Sequence, residues 1–128
     1  MARSLLGIVV DCRDSLSQAH WWASVLAHQV SERNVDEYLV SDRSSGGTPL
    51  YFMNVPELKA VKNRLHVDVA TDDLIEDEVA RLVAMGGTLV EMRQDPATLT
   101  NPDTWAVMLD PEGNEFCVLN ADAVTGIG

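Results

Sequence analysis

The strongest constraint on this chain is a pattern of elements that begins twice. Leu5 to Asp11 is a nearly continuous apolar run containing Ile8, Val9 and Val10, as in a strand buried on both faces. Ser15, with Gln18 three residues on, offers a capping box for a helix that carries Leu16, Ala19, Trp22, Ala23 and Leu26 on one face. Strand-like fragments follow around Val30 and over Glu37 to Val40, then the breakers of Ser41 to Thr48, then Leu50 to Met53. After a connection over Asn54 to Asn63, which holds Pro56 and three charges, the order restarts. Arg64 to Ala70 reads as a strand, Thr71-Asp72-Asp73 as N-caps, and Leu74 to Met85 as a helix with Ile75, Val79 and Leu82 on its buried stripe. Gly86-Gly87 supplies the C-cap. Leu89-Val90 opens a strand, residues 95–103 form a loop with two prolines, and Trp105 to Leu109 and Glu115 to Leu119 form a hairpin. Its turn, Asp110-Pro111-Glu112-Gly113, has type I chemistry. Val9, Asp14, Leu16 and Leu26 fall 58 positions before Val67, Asp72, Leu74 and Ala84. The predicted fold class is α+β, two βαβββ modules, about 4–54 and 64–121 with a linker over 55–63, forming a cupped mixed sheet within one domain.

Composition narrows the function classes. With 128 residues and a 46% apolar fraction the chain has the means to bury one core. Its net charge of -11 repels nucleic-acid phosphates and anionic lipid, so neither is expected as a partner. The apolar run of Leu5 to Val10 is interrupted by Asp11, too short for a signal core or a membrane span. The two cysteines, Cys12 and Cys117, have no spacing that suggests a disulfide framework or zinc ribbon, which points to a reducing compartment and a cytoplasmic location.

Two segments carry a resemblance. Trp105 to Val118, WAVMLDPEGNEFCV, resembles the closing hairpin of glyoxalase and bleomycin-resistance proteins, in which an aspartate-proline, a glycine-asparagine and an apolar strand recur together. Lys59 to Asp68, KAVKNRLHVD, resembles the start of the second module in the glyoxalase-like proteins common in actinobacteria. With VVDCRDSLSQAHWW at the N-terminal end, the resemblance to the glyoxalase/bleomycin resistance/dioxygenase (vicinal-oxygen-chelate) superfamily covers nearly the whole chain.

That resemblance implies a divalent metal held by four side chains, from the first and last strands of each module. Here the first position falls on Gly7 or Ile8, neither a ligand, and the second on Tyr51, Phe52 or Met53, of which only Tyr51 offers oxygen. Module two supplies His66, while Cys117 occupies the place usually held by glutamate and Glu115 lies two residues earlier. Possible metal ligands are therefore His66, Glu115 and Cys117, without a complete family set, and the cofactor stays open. His66 is the candidate for acid, base or ligand chemistry. Arg64 and Asp68 share its strand face and offer charge-assisted bonds to a ligand's carboxylate or hydroxyl, or a salt bridge of their own. Lys59, Lys62 and Arg64 form a basic group able to attract an anion.

Three readings follow. The first is a protein binding a small organic ligand in a cleft between the modules, lined by Tyr51, Phe52, Arg64, His66, Asp68, Trp105 and Glu115. The second is a metal-dependent lyase, isomerase or dioxygenase using His66. The third is a non-catalytic dimerisation module presenting an exposed sheet face and Trp21, which lies off the buried helical stripe. The superfamily resemblance also implies a homodimer.

Overall fold

The computed structural model describes residues 2–94 and 104–121; the predicted loop over 95–103 lies outside them. The chain divides into two compact units, Met1–Lys59 and Ala60–Gly128. The first unit contains β1 (Ile8–Cys12), α1 (Ser15–Leu26), β2 (Gln29–Asn34), β3 (Glu37–Ser41) and β4 (Leu50–Asn54). The second contains β5 (Val67–Thr71), α2 (Ile75–Ala84), β6 (Thr88–Gln94), β7 (Thr104–Leu109) and β8 (Glu115–Asn120). Each unit has one mixed four-stranded sheet, ordered β1-β4-β3-β2 and β5-β8-β7-β6, in which the first strand pairs parallel with the last and the rest are antiparallel. The α+β class and the twofold βαβββ order are thus as expected.

Period-2 alternation gives each sheet a core face and an opposite face. In the first unit α1 packs on β3 and β4, whose Val40, Leu50 and Phe52 are buried. In the second, α2 packs on the sheet through Ile75, Val79 and Leu82, and Ala106, Met108, Phe116 and Val118 are wholly buried. Trp105, Val107, Glu115, Cys117 and Leu119 alternate with those core residues and are left half-buried on the other face.

Both helix starts differ from the predicted caps. Asp14, not Ser15, caps α1, its carboxylate accepting from Ser17 N at 3.0 Å, while Ser15 N donates to Asn54 Oδ1 at 2.7 Å. The buried residues of α1 are Ser15, Gln18, Ala19, Trp21, Trp22, Ala23 and Val25: Ala19, Trp22 and Ala23 of the predicted stripe are among them, two polar residues join them, and Leu16 is exposed. Trp21, predicted to be exposed, is buried at 8% and meets Trp22 edge-to-face at 5.2 Å. At α2 the N-cap is Leu74, with no side-chain cap bond. Thr71 instead accepts from Asp73 N and donates to buried Glu78, which pairs with Arg81 at 2.6 Å. Glu76, Asp77 and Glu78 complement the helix dipole in that first turn.

The β7–β8 turn has the predicted chemistry. Gly113 N donates to Asp110 O at 2.9 Å, and Gly113 adopts φ +90, where a side chain would be strained. Asp110, buried at 3%, accepts from the backbone N–H of Glu112 and Asn114 and from Asn114 Nδ2, each at 2.9 Å.

Candidate functional site

β5 begins at Val67, later than predicted, because its parallel pairing with β8 starts at Val67 opposite Phe116. His66 therefore sits at the strand's entrance. Asp68 lies two residues on, directly opposite Cys117 in the register. Residues two apart on a strand point the same way, so the register gathers these three side chains on the face opposite α2. His66 Nε2 and Asp68 Oδ1 are 3.2 Å apart, and ligating atoms of His66, Asp68 and Cys117 all lie within 4.8 Å of one another.

Around them opens a cavity of about 440 Å³. Trp105, Val107 and Leu119 give it an apolar wall, and Lys62, Arg93, Asp68 and Glu115 give it charge. Asn63 holds the segment that enters β5 against the β8 end, donating from its N to Glu115 Oε2 at 3.0 Å and from Nδ2 to Asn114 Oδ1 at 2.8 Å. This latch fixes one carboxylate oxygen of Glu115 and sets Lys62 and His66 beside the cavity. Arg93 is steered by Glu91, whose Oε1 accepts from its Nε at 2.7 Å. Burial, reinforced by the negative charge of Asp68, pushes the Cys117 thiol up, against a smaller opposing effect of Arg93 and Lys62. In the absence of a metal Cys117 is thus a neutral thiol at neutral pH.

Of the side chains predicted to meet a ligand, His66, Asp68, Trp105 and Glu115 come together here. Arg64 does not: it precedes β5, where no strand pairing extends the alternation, and it is exposed. Phe52 is wholly buried on the α1 side of its sheet. Tyr51 belongs to the first unit, where the Arg33 guanidinium lies 4.6 Å from its ring centroid. Lys62 is the one lining member of the predicted basic group. Sequence reasoning missed Arg93, Val107 and Leu119. Val107 and Leu119 follow from period-2 spacing with Trp105 and Cys117; Arg93 does not, because a register shift between Leu89 and Glu91 intervenes in β6.

The same positions in the first unit carry different chemistry. The strands start 59 residues apart, one more than the spacing of 58 read from the sequence, so Gly7 precedes β1 as His66 precedes β5, Val9 takes the place of Asp68, and its register partner is Tyr51 where Asp68 has Cys117. The Tyr51 ring covers Gly7 so closely that a Cβ built there would lie 2.2 Å from Tyr51 Cε2. No imidazole, carboxylate or thiol is present at these three positions. A four-ligand site drawn equally from both modules therefore does not fit these residues.

A family model, the glyoxalase-like domain, matches residues 7–119. The chain belongs to the glyoxalase-like domain family. Solved structures share its fold. A glyoxalase/bleomycin resistance protein/dioxygenase family enzyme from Burkholderia phytofirmans PsJN matches at 23% identity and TM-score 0.72, over 92% of this chain and 98% of that one. The fosfomycin resistance protein FosX from Listeria monocytogenes, as a mutant complexed with Mn(II) and 1S,2S-dihydroxypropylphosphonic acid, matches at 12% and 0.71, over 93% and 90%. Lactoylglutathione lyase from Agrobacterium tumefaciens matches at 11% and 0.65, over 96% and 97%. No curated protein matches the sequence. At these identities the fold is shared, and activity is not carried across.

Proposed function

We propose that this glyoxalase-like chain binds a small organic molecule in the cavity of its second unit, without the four-ligand metal set that the superfamily resemblance implies. The observation that carries this reading is the 440 Å³ cavity, which combines an apolar wall with a few convergent polar groups. Pockets for small ligands are commonly about 300–1,000 Å³ and are built in that way. Trp105, Val107 and Leu119 suit an aromatic or aliphatic body, while His66, Asp68 and Glu115 suit its hydroxyl or carboxyl edge. The His66–Asp68 pair serves either as a recognition element or as an oriented imidazole able to move a proton.

A thermal-shift panel of aryl carboxylates, phosphonates and thiol conjugates tests this. A ligand at a hundredfold excess over its Kd stabilises the folded chain by about 2.7 kcal/mol. Trp105→Ala should weaken the best compound at least tenfold. Failure of the whole panel to stabilise the protein would count against the reading.

We also propose a cytoplasmic location, in keeping with two free cysteines, and membership of the glyoxalase-like group common in actinobacteria, on the resemblance of Lys59 to Asp68. Among the described residues no helix is long and apolar enough to cross a membrane. A homodimer is supported by the superfamily resemblance; burial of Trp21 takes that residue, but not an exposed sheet face, out of the argument for a dimerisation module.

A further inference from the structure

We infer that His66, Asp68 and Cys117 form a three-donor site for a thiophilic divalent cation, zinc in character, built wholly within the second unit. The inference goes beyond the organic-ligand reading and does not depend on it. Three observations converge. The ligating atoms lie within 4.8 Å of one another. They come from one short parallel pairing, with Asp68 and Cys117 as direct register partners and His66 at the strand's entrance, so a backbone already fixed by hydrogen bonds sets their spacing. They also border a cavity rather than lying sealed in the core.

Donor chemistry selects the ion. Imidazole, carboxylate and thiolate together suit zinc or cobalt(II), whereas magnesium, calcium and manganese prefer sites made of oxygen. Closure on a tetrahedral ion with bonds of about 2.0–2.3 Å needs only side-chain adjustment from the present separations. The ion would displace the proton of the Cys117 thiol, so binding releases that proton to solvent. One carboxylate and one thiolate then balance a divalent charge. Three protein donors leave one coordination position open toward the cavity, the arrangement of reactive rather than purely structural zinc sites. This differs from the shared four-ligand arrangement in drawing nothing from the first unit, and in using Asp68, whose counterpart there is Val9.

Cobalt(II) titration of the full chain, freed of metal with a chelator and kept reduced, tests the site without any assay of activity. The expected result is one equivalent bound, with a near-ultraviolet thiolate-to-cobalt charge-transfer band and the intense visible bands of a four-coordinate ion. Cys117→Ser should abolish the charge-transfer band, and Asp68→Asn should weaken cobalt at least tenfold. Glu76→Gln, in the first turn of α2 on the other side of the sheet, should leave both band and affinity unchanged. Circular dichroism and the metal-free Tm establish that each variant is folded, and Asp68→Asn, nearly isosteric at a half-exposed position, provides a test should Cys117→Ser unfold. Absence of binding by the folded chain, a complex without the thiolate band, or unchanged affinity in folded Asp68→Asn would overturn the inference. Because the organic-ligand panel is run on metal-free protein, its failure is distinguishable from failure of the cobalt site.

Discussion

The two units share an order of strands and helix, yet the same three positions read His66, Asp68 and Cys117 in one and Gly7, Val9 and Tyr51 in the other. In the second unit those side chains border open space. In the first, the Tyr51 ring lies across Gly7 and beneath Arg33, which in turn pairs with Glu37 at 3.3 Å. The core faces are alike, with buried apolar residues set against a helix in both. The two units thus share the side of each sheet that holds the unit together, while the opposite side differs in chemistry. One face is packed with a ring and a cation; the other keeps polar donors and a cavity.

Substitutions at matched positions can break or sharpen that contrast. The largest effect is expected at the strand connections preceding the last strand of each sheet. Asp110→Ala removes a buried carboxylate that satisfies two backbone donors, and should cost about 3 kcal/mol in denaturant unfolding. Asp42→Ala, at the wider and exposed connection of the first unit, should lower the unfolding midpoint far less.

Next in size is Gly7→Ala, whose added methyl meets the Tyr51 ring and the Pro49 carbonyl. It should destabilise by about 1–3 kcal/mol, and Tyr51→Leu in the same chain should recover more than half. The matched change His66→Ala, beside open space, should alter stability by less than about 1 kcal/mol, the range of an exposed ion pair. Equal costs at Gly7 and His66 would break the contrast between a filled and an open face.

The smallest effect concerns Asp42. Hydrogen bonds from the Ser44 hydroxyl, then Ser45 and the Ser44 backbone, lower its carboxyl from 3.8 to about 2. A depressed carboxyl contributes stability that is present above the unfolded value and lost as pH falls through the folded one. Its small contribution should therefore fade between about pH 4 and pH 2, and carboxyl-carbon NMR should follow the titration.

Much of this fold was legible because its signals are local and periodic. The apolar runs, the Gly86 stop and the Asp110-Pro111-Glu112-Gly113 turn all read directly from neighbouring residues. What escaped was set by pairing. Arg64 seemed to share a face with His66 and Asp68 until the register put the start of β5 at Val67. Phe52 seemed to share a site with Tyr51, but adjacent residues on a strand face opposite ways, and the helix covers Phe52. On α1 the burial of Ala19, Trp22 and Ala23 was legible, whereas Ser15 and Gln18 escaped because they are buried polar residues, which hydropathy alone assigns to solvent. Cys117 already stood beside His66 as a possible metal ligand in the sequence; parallel pairing across 49 residues set it opposite Asp68 and so added the carboxylate to that cluster.

The central claim is that the second unit carries the chemistry and the first does not. Backbone amide NMR of the metal-free chain, titrated with the strongest aryl carboxylate from the panel, tests it most directly. The account predicts saturating shifts at His66 to Asp68, Arg93, Trp105 to Val107 and Glu115 to Leu119, with Gly7 to Val9, Arg33 and Leu50 to Phe52 unmoved. Shifts centred on Tyr51 and Arg33, with the second unit silent, would contradict it.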